Sequence, residues 1–401
     1  MKVEKGSIES TLLFVLAPFL SIPLLFYNLK RKRAFGLVLL SLLLGFISYL
    51  YIPSFSNDKA RYIERITLLS NYDLGEYISY LIKSKRPDFV FESLLYIFAR
   101  LNWSIHYLFF TVTSFVVYSI FYLIRRIVWG ENIGINIIYT ILILSSFSLQ
   151  GLFSGVRFIF GISLFLWGIY FYVFQKKSSG WLFILLACLT HFSTIYFVPA
   201  LIITRFKDLL NLNLYYLYLG SLFFLLLPPS FFISILGNVS VSEGYSSKID
   251  TYTGESDFIS NNLQRGFANQ LIYYTRIAWV YFAYLYLVFN KRYNKNSLVT
   301  QLLFISLFFV NLTFAIPTIF SRYLNFVKIL FVLFLLFETY TNPKFRKKEF
   351  WLFFCLFTLS FIIDIYLMRY NFQASLLNRN LLTIINVLSN QFTLKDVLHV
   401  Q

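Results

Sequence analysis

The chain has 401 residues, of which 58% are hydrophobic, 21% aromatic and only 13% charged, with a formal net charge of +17. Soluble domains carry about 25% charged residues, so this much apolar surface cannot all be hidden in a core and a water-soluble fold is excluded. The positive charge does not point to nucleic acid, because it is confined to short connections between apolar runs, the pattern of cytoplasmic loops in a membrane protein.

The apolar runs, in chain order, cover 8–27, 34–52, 103–124, 133–149, 158–174, 181–204, 212–236, 271–290, 298–316, 322–337 and 350–368. Crossing roughly 30 Å of hydrocarbon takes about 20 residues, and backbone groups in lipid must be satisfied within the segment, so such runs form helices. The expected fold class is all-α: one polytopic membrane domain over residues 1–401 with about 10–12 transmembrane or re-entrant helices. The first run ends at Lys30–Arg33 and no small-residue cleavage site follows it, so it reads as a retained helix that starts outside.

Six connections hold the basic clusters: Lys30–Arg33, Arg125 with Arg126, Lys176 with Lys177, Arg205 with Lys207, Lys291–Lys295 and Lys344–Lys348. Keeping all six in the cytoplasm requires an even number of crossings between neighbours. Only the stretch 181–204 breaks this parity. Either it turns back near His191 and Ser193 as a re-entrant hairpin, or Arg205 and Lys207 lie outside. The hairpin is favoured, because a single crossing would invert every later loop against its charge.

On this topology the long polar segments 53–103 and 237–270 and the tail 369–401 lie outside. Long loops carried on a helical scaffold are the usual place for working residues. The first holds Asp58, Arg61, Tyr62, Glu64 and Arg65, then a half-length apolar run from Phe89 to Leu101 containing Glu92. That run is too short to span and should lie at the outer interface. The second is rich in acids and contains Tyr245 and Tyr252, and outer-loop tyrosines are suited to stacking on sugar rings.

Ionisable groups at membrane depth are costly and mark function by default. Arg157, Arg276 and Arg322 each lie toward the outer end of a span, with Tyr323 beside Arg322. Three guanidinium groups on one face suit a phosphate-bearing ligand. The alternative is that they reach lipid headgroups or pair with Glu92 and Asp364. His191 lies in the middle of its apolar stretch, where it is either a helix-packing residue or a titratable group at a helix break. Cys188 and Cys355 lie inside spans and read as small hydrophobes, and with only three histidines no metal site or other cofactor is expected.

Several short motifs occur in a fixed order: Asn57-Asp58-x-x-Arg61-Tyr62, Phe91-Glu92-Ser-Leu-Leu-Tyr96, Ser154-Gly-Val-Arg157, Ala187-Cys-Leu-Thr-His191-Phe-Ser and Ser321-Arg322-Tyr323. Over about residues 50–340 the chain resembles the EpsG-like branch of bacterial polysaccharide repeat-unit polymerases, similar to Wzy-type O-antigen polymerases. It departs from the family pattern at Ser93, where a proline is usual, and at Phe158, where a glutamine is usual.

The resemblance implies a multi-pass protein of the bacterial inner membrane whose active site faces the periplasm. Its donor and acceptor would be oligosaccharides linked to undecaprenyl diphosphate, the membrane lipid itself would be a partner, and a chain-length regulator would be a further one. Arg157, Arg322, Arg276, Arg61, Tyr62, Tyr245 and Tyr323 would bind substrate. Glu92, His191 and Asp58 are the candidates for taking the acceptor's proton in a metal-independent, inverting-type transfer. Competing readings are a lipid-linked oligosaccharide flippase or transporter and a glycosyltransferase using a polyprenyl-phosphate sugar. A flippase should show broken midplane helices in two related halves.

Overall fold

The computed structural model describes residues 7–377 apart from 32–33, 56, 84–87, 131–134, 229–263, 265, 291 and 346. Over these residues the protein is all-α, with 18 α-helices. Tyr245 and Tyr252, most of the second outer loop and most of the C-terminal tail lie outside the described residues.

The first run is not one helix. Its two halves, α1 (Ser7–Leu16) and α2 (Ile22–Lys30), are separated at Pro18, which has no N–H to continue the ladder. Helix α3 (Ala34–Leu50) follows. Three amphipathic helices then occupy the first outer segment: α4 (Asp58–Leu69), α5 (Leu74–Lys83) and α6 (Phe89–Arg100). With only 12 residues, α6 rises about 18 Å and cannot cross a bilayer, as its length predicts.

Helix α7 (Ile105–Trp129) is a full span. The expected span 133–149 instead ends early, as α8 (Ile137–Ser145), and a short α9 (Leu149–Phe153) follows. Ser145 and Ser146 turn their hydroxyls back onto carbonyls three residues earlier, and Ser148 caps α9 by accepting from the Gly151 amide.

Helix α10 (Val156–Ile169) continues through a π-helical turn to Phe174. Next come α11 (Gly180–Thr190), a 3-10 segment (Phe192–Phe197), α12 (Val198–Phe206) and α13 (Leu214–Ser221), the last extended by a 3-10 turn to Leu226. The C-terminal part comprises α14 (Phe267–Phe289), α15 (Leu298–Asn311), α16 (Pro317–Thr341), α17 (Lys347–Leu367) and the short α18 (Arg369–Phe372). Among the described residues, five segments are long and apolar enough to cross a membrane unaided: α7, α10 with its π turn, α14, α16 and α17. Their placement differs. The apolar window of α16 is 78% buried, which makes it a central helix, whereas that of α17 is 28% buried and faces outward.

The stretch 181–204 doubles back. Helix α11 packs antiparallel to α10, with Gly180 against Tyr172, Ile184 against Gly168 and His191 against Gly161. At His191 the backbone becomes extended (φ −148°, ψ 108°), and α12 returns until Arg205 lies over the Tyr172 ring, 5.8 Å from its centroid. This brings Arg205 back to the end of the molecule where Lys176 and Lys177 lie.

The other basic connections share that end. The Ile135 amide donates to the Leu29 carbonyl, Asn342 donates to the Arg292 carbonyl, Asn290 donates to Glu349, and Lys295 sits over Tyr215. At the opposite end, Ile52 is tied to the segment after α17: its amide donates to Ser375 Oγ (2.7 Å) and its carbonyl accepts from Asn371 (2.9 Å). The charge separation read from sequence is therefore a separation between the two ends of the helix bundle.

Candidate functional site

At the end opposite the basic connections, four pieces of chain meet: α4, α6, the first turn of α10 and the turn of the α11–α12 hairpin. Asp88, just ahead of α6, is buried and holds two of them. Its Oδ2 accepts from Arg157 Nη1 at 2.6 Å, and its Oδ1 accepts from the Phe192 amide at 2.9 Å. An aspartate directly before an apolar helix normally caps it by accepting from the first-turn amides. Here the side chain makes no such cap and instead joins α10 to the hairpin turn. The side chain of Arg157 retains a quarter of its exposure, and its Nε is buried with no acceptor among the described residues.

His191 lies at the hairpin turn, where the favoured reading of the stretch 181–204 puts the break, and level with Arg157 rather than in the middle of a continuous span. The Ser193 amide approaches its Nδ1 at 3.3 Å and the Ser193 hydroxyl at 2.7 Å. An amide can only donate, so Nδ1 accepts and the neutral ring carries its proton on Nε2. The ring stands edge-on to Phe158, at the position where a glutamine is usual in the family pattern, with centroids 5.1 Å apart. Below it, a Cβ added to Gly161 would lie 3.2 Å from His191 Cβ, so a bare backbone is what lets the histidine sit this close to α10.

Glu92 is fully buried on α6 and is paired with Arg65 Nη1 of α4 at 2.5 Å. Tyr62, also on α4 and buried, rests against Phe91 and lies 6.0 Å from the Arg157 guanidinium. Burial pushes the Tyr62 phenol up to about 12, so it is a neutral group at physiological pH. Asp58 and Arg61 lie on the outer side of the same helix, 3.6 Å apart and both substantially exposed. Asp58 is close to the start of α10, since a Cβ at Gly155 would stand 3.7 Å from its Oδ2.

Helix α4 is held in register by Lys59, whose amide donates to Ser154 Oγ at 3.2 Å. Its buried ammonium donates to the carbonyls of Ser48 and Tyr51 at 2.7 and 2.8 Å.

The three arginines expected on one face separate. Arg157 is in this cluster. Arg322 is exposed in the second turn of α16, at the same end, and its neighbour Tyr323 reaches the hairpin by donating to the Ser193 carbonyl (3.4 Å) and stacking on Tyr196 (4.7 Å between centroids). Arg276 belongs elsewhere. Its Nε lies 2.6 Å from Asp364 Oδ1 on α17, beside Lys328, which donates to Ser360. This is the structural pairing weighed against ligand binding from sequence, and it suits charges enclosed between spans. Among the described residues no group of three or more His, Cys, Asp or Glu is placed to hold a metal ion.

Asp88 was not singled out from sequence, and Arg65 was named in the first outer segment but given no role. Asp88 looks like an ordinary helix cap, and Arg65 like one more charge on an exposed amphipathic helix. Their roles depend on which distant residue each one meets.

A bundle of this kind, all-helical with long apolar helices, basic loops at one end and an arginine–carboxylate–histidine cluster at the other, is that of a multi-pass membrane protein. The model of the EpsG family matches residues 60–378, and the chain belongs to that family of Wzy-like polysaccharide polymerases and exopolysaccharide biosynthesis proteins. The match begins in α4 and takes in every residue of the cluster except Asp58 and Lys59. No curated protein and no solved structure matches the chain.

Proposed function

We propose that the chain polymerises lipid-linked oligosaccharide repeat units, moving a glycan from undecaprenyl diphosphate onto a sugar hydroxyl of the next lipid-linked unit, on the periplasmic face of the bacterial inner membrane. The observation that carries this reading is the Arg157–Asp88 pair at the hairpin turn. It holds a guanidinium at the end of an apolar helix, the depth at which this reading puts a lipid diphosphate, beside a histidine whose Nδ1 accepts and whose ring proton is therefore on Nε2.

In this reading the diphosphate lies against Arg157, with Arg322 approaching from α16. Both groups stabilise the charge that grows on phosphate as the bond from the anomeric carbon to the leaving oxygen breaks. His191 adds a hydrogen bond through Nε2. The acceptor oxygen bonds to the anomeric carbon from the opposite face, which inverts the configuration, and its proton passes to a carboxylate. Of the three candidates for that task, Asp58 has an exposed carboxylate, whereas Glu92 is enclosed with Arg65 and His191 carries its ring proton on Nε2.

The test is to supply the purified protein with a lipid-linked repeat unit and separate the products by length. The expected result is a ladder of glycans that still carry the lipid. Unaltered lipid relocated across the membrane of a vesicle, with no ladder, would identify a flippase and overturn the proposal.

A further inference from the structure

A second polar site lies at the other end of the molecule. A cavity of about 590 Å³ opens between the connection after α12, the start of α13 and the start of α15. Lys207 and Lys295 contribute positive charge to it and Asp208 one negative charge at its rim, and Asn211, Asn213, Asn296 and Gln301 contribute hydrogen-bonding groups. Lys295 is held in place over the Tyr215 ring, 3.5 Å from the centroid, which supports its charge from one side and leaves the other open. Lys207 is mostly buried and lies 3.4 Å from Asp208, but that aspartate is 90% exposed and a pair of this kind is weak.

Gln301 is the informative residue. It is 8% exposed and lines the cavity, and its Oε1 has no hydrogen-bond donor among the described residues. A buried amide oxygen left in that state is unfavourable unless something held in the cavity donates to it. The surroundings say where the donor comes from. Tyr216 lines the opening and is 67% exposed, and Leu209, 79% exposed, follows the lining residue Asp208 in the chain, so apolar surface suited to acyl chains adjoins a mouth suited to a charged headgroup.

We infer that this cavity binds the headgroup of an anionic glycerophospholipid, with the phosphate diester between Lys207 and Lys295 and a headgroup hydroxyl donating to Gln301 Oε1. A choline or ethanolamine headgroup carries its own cation into the space between the two lysines and is disfavoured. The site is separate from the Arg157 cluster and does not depend on the reaction proposed there.

The experiment places the full chain in nanodiscs of phosphatidylcholine with an increasing share of phosphatidylglycerol, and follows the retained lipid by native mass spectrometry and the Tm. Phosphatidylglycerol should be retained in preference to phosphatidylcholine and should raise the Tm. Lys207→Gln and Lys295→Gln should each weaken retention roughly fivefold, at about 1 kcal/mol per lysine, and the Lys→Arg variants should preserve it.

Gln301→Leu should reduce the preference for phosphatidylglycerol over phosphatidic acid, which lacks the glycerol hydroxyls. Because this variant leaves both lysines intact, it tests the site even if a lysine variant is misfolded, which the Tm in pure phosphatidylcholine would reveal. Equal retention of the two lipids by the unmodified chain would overturn the inference. So would unchanged retention in folded lysine variants. A Tm increase produced as fully by inorganic phosphate would assign the cavity to a soluble anion instead.

Discussion

Arg157 and Asp88 are 69 positions apart and meet at 2.6 Å, and the consequence for mutagenesis is specific. Hydrogen bonds to charged groups contribute roughly 1.5–3 kcal/mol, so Arg157→Ala and Arg322→Ala should each lower polymer synthesis by about one to two powers of ten. Lysine should rescue only part of this, since a point charge cannot make a two-toothed contact with phosphate. A full-length ladder from either alanine variant, present at normal level in the membrane, would make that arginine a headgroup anchor.

Glu92 makes the opposite kind of case. Removing Arg65 leaves a fully buried carboxylate without this guanidinium, and breaking such a pair costs about 3–5 kcal/mol. Arg65→Gln should therefore lower the Tm sharply, and the double variant Arg65→Gln/Glu92→Gln should recover much of the loss. If the double variant also still makes polymer, Glu92 is a structural residue. Sequence reading places Glu92 and Arg65 in the same outer segment but cannot pair them, because a carboxylate at the start of an interfacial helix looks the same whether it faces substrate or a neighbouring helix.

Among the elements, the α10–α11–α12 unit positions His191, and its close approach is set by glycine. A Cβ on Gly168 would come 2.6 Å from Ile184 Cγ1. Gly168→Ala should therefore push α11 away from α10 and reduce polymer formation, and adding Ile184→Ala should restore part of it by vacating the space. Without restoration, the defect at Gly168 would have a source other than this contact. The hairpin itself was legible from charge parity, since only a return could keep Arg205 with the other basic loops.

The breaks at Pro18 and at Ser145–Ser148 were less legible, because hydropathy over a whole window is insensitive to a missing N–H or to serines that turn back onto the backbone. The turn near His191 was legible, but the neighbours it meets there were hidden. A run of apolar residues looks the same from either end, and only the register of α11 on α10 shows that its last turn lies beside Arg157.

For the whole molecule, the two ends differ in charge, and the proposed reaction requires the end without the basic loops to face outward. In a background with Cys188 and Cys355 replaced by alanine, Thr67→Cys on α4 should react with a membrane-impermeant thiol reagent in cells whose outer layer has been permeabilised. Lys344→Cys should react only once the inner membrane is broken. The reverse pattern would invert the topology and place the Arg157 cluster in the cytoplasm. The all-helical class and the two charged ends follow from apolar length and loop charge, whereas the count does not: about 10–12 helices were expected and 18 are found among the described residues, because runs break and the outer segment folds into helices of its own. Nor does the cluster follow, because it is assembled from α4, α6, α10 and the hairpin turn by contacts spanning up to 104 positions.

The ties between Ile52 and the residues after α17 have a consequence for how the protein is made. Ile52 precedes α4 by only a few residues, and its amide and carbonyl are satisfied by Ser375 and Asn371, more than 300 positions later. Until the ribosome has delivered those residues, the approach to Asp58 and Tyr62 lacks its last two hydrogen bonds. A messenger cut short after α17 would yield a chain with all five long spans and an unfastened entrance to the cluster. Dependence of polymer synthesis on Asn371 and Ser375, remote in sequence from the charged groups, would reveal this fastening in a truncation series.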